Sequence, residues 1–208
     1  MANATSTQLQ ELYVAYFGRA ADPAGLDYWV SAGVSQAKFA SIMHAQAEFQ
    51  DAYGSASTEN QVNQIYNNLF NRDADAAGLS YWTNQINNGE LQLAEIATHL
   101  IWAAKNNSGS SDDLAALNNR SAAAVAYTAE VKASTAAMTA YQPLSTSPWS
   151  SGANIQEAQD YLLTINGTTA HDAAGITASV DKIEANGTPA AAQTFVLTTS
   201  ADTFTGGN

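Results

Sequence analysis

Phe17-Gly18-Arg19-Ala20-Ala21-Asp22-Pro23-Ala24-Gly25-Leu26-Asp27-Tyr28-Trp29 returns fifty-three positions later as Phe70-Asn71-Arg72-Asp73-Ala74-Asp75-Ala76-Ala77-Gly78-Leu79-Ser80-Tyr81-Trp82. Upstream of each copy, Leu9, Leu12, Tyr13, Tyr16 and Phe17 match Val62, Ile65, Tyr66, Leu69 and Phe70. These are the i, i+3, i+4, i+7, i+8 positions of one buried helical face. The reading is a duplicated unit in which an amphipathic helix runs into a turn and a second helix.

The turn chemistry is legible residue by residue. Thr5-Ser6-Thr7 supplies cap candidates for a helix that runs to Phe17 and stops at Gly18. Asp22 is positioned as the N-cap of the next helix, with Pro23 in the first helical position, where a missing N–H costs nothing; Asp75 takes that role in the second copy. Gly25 and Gly78 fall in the first helical turn, where a neighbour needs close approach. A third helix is expected in each unit, from Ser35 to about Ala52 and from about Leu91 to Lys105.

Beyond a polar loop at Asn106–Asp113, an Ala-rich helix is expected from Leu114 to Tyr141, with Leu114, Leu117, Val125, Tyr127, Val131 and Met138 facing inward. Helices near Ile155–Ile165 and Ala173–Ala185 follow, each ended by an Asn-Gly pair. Gln193-Thr194-Phe195-Val196-Leu197 then alternates with a strand period. The fold class expected is all-α: a multi-helix bundle of two repeated units plus additional helices, closed by a short C-terminal β segment. The divisions are 1–107 for the duplicated units, 108–187 for additional helices packed on the same domain, and 188–208 for a linker and the start of a β region.

Composition bounds the partners. Seven basic residues against nineteen acidic ones give a formal charge of −12, which opposes nucleic-acid phosphates. A hydrophobic content of 46%, with four Trp and nine Tyr, supports a packed core. The absence of cysteine removes disulfides, thiolate metal sites and thiol nucleophiles. No apolar run reaches the length of a membrane span, and Met1–Thr7 carries neither a basic nor an apolar leader region, so no Sec-type signal is expected.

Candidate sites follow from side-chain chemistry. Tyr28, Tyr81 and Trp149 offer flat faces on which sugars stack; neighbouring aromatics on a helix diverge by about 100°, so both members of a Tyr-Trp pair cannot point squarely into one core, yet core packing is the favoured reading for the pairs and Trp149, in a loop, is the better candidate for an exposed anchor. Arg19 and Arg72 can meet an anion or a sugar hydroxyl, while their recurrence three residues before Asp22 and Asp75 favours an internal hydrogen-bonding role. Asp73-Ala74-Asp75 touches the start of an EF-hand loop but departs from it at Ala77 and Asn84, leaving Asp73 and Asp75 as candidate calcium ligands beside the capping role of Asp75. There is no nucleophile elbow, Walker loop or paired-His motif, and the chain reads as non-enzymatic.

The doubled Phe-x-Arg-x-Ala-Asp-x-Ala-Gly-Leu-x-Tyr-Trp block resembles the domain of unknown function four-two-one-four, common in large secreted bacterial proteins. Ala201-Asp202-Thr203-Phe204-Thr205-Gly206-Gly207-Asn208 resembles one turn of the RTX nonapeptide repeat, with Asp202 at the calcium-ligand position, leading to a β-roll that is missing here. The order resembles the N-terminal region of an RTX-type surface-layer protein. That resemblance implies type I secretion without an N-terminal signal peptide, an extracellular cell-surface location in the S-layer, and an anchoring domain that binds lipopolysaccharide O-polysaccharide beside neighbouring S-layer subunits. It implies Ca2+ in the full-length protein, and an acidic domain meeting an anionic glycan adds Ca2+ bridging as an expectation. The rival readings are a self-association or spacer module of an RTX adhesin and a glycan-modifying enzyme.

Overall fold

The computed structural model describes residues 2–107, 109–144 and 146–187, which form eleven α-helices and one short 3-10 turn, with no strand among the described residues. In chain order these are α1 (Ser6–Phe17), α2 (Pro23–Ala32), α3 (Gln36–Ala45), α4 (Ala47–Tyr53), α5 (Thr58–Phe70) and α6 (Ala76–Asn87). The 3-10 turn Leu93–Glu95 precedes α7 (Ile96–Asn106), followed by α8 (Ser111–Ala133), α9 (Thr135–Ala140), α10 (Gly152–Leu163) and α11 (Ala173–Asn186). The expected β segment, with Asp202 and Phe204, lies outside the described residues. No described helix is long and apolar enough to cross a membrane.

Local chemistry sets the first helices. Thr5 and Gln8 form a reciprocal capping box at the start of α1, and Gly18 ends it in the left-handed region at φ 65°. Asn71 holds the same conformation at φ 57° after α5, so the two copies leave their first helix alike with different residues. Asp22 Oδ1 accepts the Gly25 N–H at 2.7 Å, and Asp75 Oδ1 accepts the Gly78 N–H at 2.8 Å.

The core has two hydrophobic clusters that share α1. One gathers Leu9, Leu12 and Tyr16 with α3, α5 and α7; the other gathers Val14 and Ala20 with Tyr127, Tyr141 and the apolar faces of α8 to α11. Every residue of α1 from Leu9 to Phe17 is therefore buried, including Gln10 and Glu11. The one-faced amphipathic pattern of its sequence understates this, because α8 and α7 cover its other sides through apolar packing of Val14 and through polar contacts. Gln10 Oε1 accepts the Ala21 N–H at 3.0 Å while its amide donates to Thr128 Oγ1 at 2.6 Å, and Glu11 pairs with Lys105. Buried groups of this kind are tolerated because each finds a partner.

The structure revises two helix boundaries. The single helix expected from Ser35 to Ala52 breaks at Gln46, whose extended backbone (φ −66°, ψ 146°) separates α3 from α4. The break turns Glu48 onto Arg19 and sets Phe49 against Tyr16 with ring centroids 5.7 Å apart. The expected helix from Leu114 to Tyr141 likewise divides at Ser134, which is extended and caps α9 by accepting the Ala137 N–H. The inward face of α8 is also revised: Val125 is exposed, while Arg120, Ala123, Ala124, Tyr127 and Val131 are buried. Small alanine side chains form the contact there and let the helices approach closely.

Candidate functional site

The two copies of the repeated stretch diverge at their arginines. Arg19, 2% exposed, donates through Nε and Nη2 to both carboxylate oxygens of Glu48 at 2.7 and 2.8 Å, and through Nη1 to the Ala20 carbonyl. Its guanidinium also lies over the Phe17 ring at 5.4 Å. Burial opposes the charge on Arg19, but the Glu48 carboxylate outweighs it and holds the guanidinium charged more firmly than in free arginine. Arg19 is thus enclosed and engaged inside the protein, which removes it from the candidate glycan contacts. Its partner is Glu48, not the nearby Asp22, which is occupied as a cap.

Arg72 makes the same fork outward. Nε and Nη2 donate to the two oxygens of Asp113 at 2.8 Å each, Nη1 donates to the Asp73 carbonyl, and the Arg72 side chain is 41% exposed. Here the carboxylate comes from the first turn of α8, and Tyr66 lies under the guanidinium at 5.4 Å.

Arg72 and Asp113 stand in the wall of a groove of about 660 Å³ bounded by α5, α6, α7 and the start of α8. The adjacent aromatics divide their duties at its edge. Trp82 is half-buried, donating its indole N–H to Tyr66 Oη at 3.0 Å, while Tyr81 is 55% exposed. The Tyr81 and Trp82 rings meet edge-on at 4.9 Å, an arrangement matched by Tyr28 and Trp29 in the first copy. On the same groove, α7 presents Trp102, 63% exposed, and His99, whose ring lies 6.2 Å from Trp82. Trp102 falls outside the apolar face Ile96-Ala97-Leu100-Ile101-Ala104, and a large aromatic off the helical stripe was the sequence signal for it. In the first copy, Phe39 packs against both Tyr13 and Trp29 at 5.5 Å and Glu48 sits on Arg19, so that side is filled by protein.

Residues 40–108 match the family model described as Domain of unknown function (DUF4214). The matched segment runs from α3 to the end of α7 and contains Arg72, Tyr81, Trp82 and Trp102; Asp113 lies beyond it. No curated protein and no solved structure matches the chain.

The remaining candidates lie apart from this groove. Tyr28 is 63% exposed on α2. Trp149 is half-buried in the loop before α10, where its backbone N–H donates to Asp51 Oδ2 at 2.6 Å, and it lines a smaller recess of about 230 Å³ with Phe17, Glu48, Tyr53 and Gln159. Asp73 Oδ1 accepts from Asn67 Nδ2, and Asp75 Oδ1 accepts the Gly78 N–H as the cap of α6. Among the described residues no group of three or more His, Asp or Glu side chains is arranged to hold a metal ion. Asp202 lies outside the described residues.

Proposed function

We propose that this chain is a non-catalytic surface-anchoring domain, built on a duplicated helical unit, of an RTX-type surface-layer protein, and that it binds lipopolysaccharide O-polysaccharide through the groove of the second copy. The observation that carries the reading is the pair of exposed aromatics, Tyr81 on α6 and Trp102 on α7, that both line that groove. Large aromatics at helical spacing bury themselves when a core is available; held open beside a polar groove, they offer the flat apolar faces that pyranose rings pack on. Arg72 and Asp113 neutralise each other across two hydrogen bonds, which supports a positioning role for them over acid-base chemistry.

Neighbouring subunits and Ca2+ belong to the same proposal, with calcium assigned to the RTX-like region that begins near Asp202. The test is retention on smooth lipopolysaccharide, which carries O-polysaccharide, against rough lipopolysaccharide, which lacks it, with calcium and with chelator. Retention on the smooth form alone is expected. Equal failure on both forms with calcium present, accompanied by concentration-dependent oligomers, would replace the reading with the self-association module.

A further inference from the structure

Resting on that reading, we infer that the groove selects an uncharged, hydroxyl-rich saccharide. The charged side chains that line it among the described residues are Arg72, Asp75, Glu90 and Asp113. Acidic groups outnumber the single cation, and that cation already has both edges of its fork on Asp113 and Nη1 on the Asp73 carbonyl. A uronate, sialate or phosphate entering here meets no free bidentate partner, and it meets repulsion both from the groove and from a chain of net charge −12. Neutral sugar hydroxyls, by contrast, donate well to carboxylates and to amide oxygens, and Glu90, Gln85 and Asn107 provide such acceptors along the groove.

The aromatic walls complete the complementarity. The indole N–H of Trp82 is engaged by Tyr66, which fixes its ring, while Tyr81 and Trp102 remain exposed.

The experiment is an array of neutral, N-acetylated, uronate-bearing, sialylated and phosphorylated oligosaccharides probed with the whole chain, with calcium and with chelator, and with intact O-polysaccharide as a separate arm. Neutral or N-acetylated glycans are expected to bind with little salt dependence, Trp102→Ala and Tyr81→Ala to weaken them about tenfold or more, and Val125→Ser to leave them unchanged. Both ring truncations are at exposed positions, and circular dichroism verifies that the variants fold. Preferential binding of anionic glycans, neutral binding indifferent to Trp102→Ala, or no neutral glycan bound in either condition each overturns the inference. If O-polysaccharide is still retained in those cases the anchoring reading stands; if it too is lost, both fail.

Discussion

Arg19 and Glu48 face each other through two hydrogen bonds of 2.7 and 2.8 Å inside the protein, twenty-nine residues apart in the chain. The pair joins the turn of the repeated stretch to α4, and the break at Gln46 lets α4 turn to meet it. Arg72 makes the same fork to Asp113 from the second turn, yet that pair is open to water. One motif residue therefore has two fates, set by what the neighbouring helix contributes.

Those fates predict different stability costs for the same substitution. Arg19→Ala leaves the Glu48 carboxylate in a site with little water and should lose about 3–5 kcal/mol, whereas Arg72→Ala should stay within about 1 kcal/mol. Replacing both Arg19 and Glu48 with Met should cost less than Arg19→Ala alone, because no unpaired charge remains. Urea unfolding of the variants measures this; equal losses at Arg19 and Arg72 would show that burial does not separate them.

The glycines of the repeat separate in the same way. A Cβ on Gly25 would stand 2.8 Å from both carboxylate oxygens of Asp22 and 2.9 Å from the Tyr13 hydroxyl, while one on Gly78 would meet Tyr66 Oη at 3.2 Å and Asp75 Oδ1 at 3.4 Å. Alanine gains about 1 kcal/mol of helix propensity over glycine at either place. Gly25→Ala should nevertheless destabilise by about 1–2 kcal/mol, because cap and tyrosine must both move, while Gly78→Ala should be close to neutral. Thermal unfolding that ranks Gly78→Ala as the worse of the two would contradict this account.

The helical character of the chain and the first turns were legible because their signals are local: Asp22 before Pro23, Gly18 after Phe17, and apolar spacing along α1 and α5. The partners of Arg19 and Arg72 were not, since Glu48 and Asp113 lie twenty-nine and forty-one residues away and only packing brings them in. The breaks at Gln46 and Ser134 carry neither glycine nor proline, so no intrinsic breaker marks them. Val125 misled because apolar bulk was read as burial, whereas alanines make the close contact of α8. At the groove, the divergence of neighbouring aromatics made Tyr81 a candidate although core packing was favoured for its pair, whereas Trp102 was missed even though it falls off the apolar stripe of α7, where His99 and Lys105 are exposed too.

Arg120 is the fastening between α8 and the ends of two other helices. Its Nε donates to the Asn68 carbonyl on α5, and its Nη1 to the carbonyls of Leu162 and Ile165 at the end of α10. Burial pushes its pKa down to about 10, so the charge is held at a cost that carbonyls at helix C-termini offset. Arg120→Ala should lose about 2–4 kcal/mol, and Arg120→Lys should recover only part of it, since a single ammonium cannot reproduce the planar fork. Hydrogen exchange should show the loss at the ends of α5 and α10 together; protection unchanged at both would remove the fastening role.

Alkaline pH tests the buried phenols. Desolvation raises Tyr16, Tyr127 and Tyr141 well above their ordinary value of 10.0, because no nearby cation compensates for burying a phenolate at Tyr16 or Tyr127 and Arg19 only partly does so at Tyr141. Above that ordinary value the unfolded chain releases phenolic protons that the folded chain keeps, so the folded state binds more protons and stability falls as pH rises. The stabilisation is full below about pH 10 and declines above it by about 1.4 kcal/mol per pH unit for each such tyrosine. The melting temperature should therefore stay level up to that point and then drop steeply, with tyrosinate absorbance from these residues appearing together with the loss of helical circular dichroism. Ionisation of the full tyrosine complement near pH 10 with the helices intact would mean that these hydroxyls reach water in the folded protein.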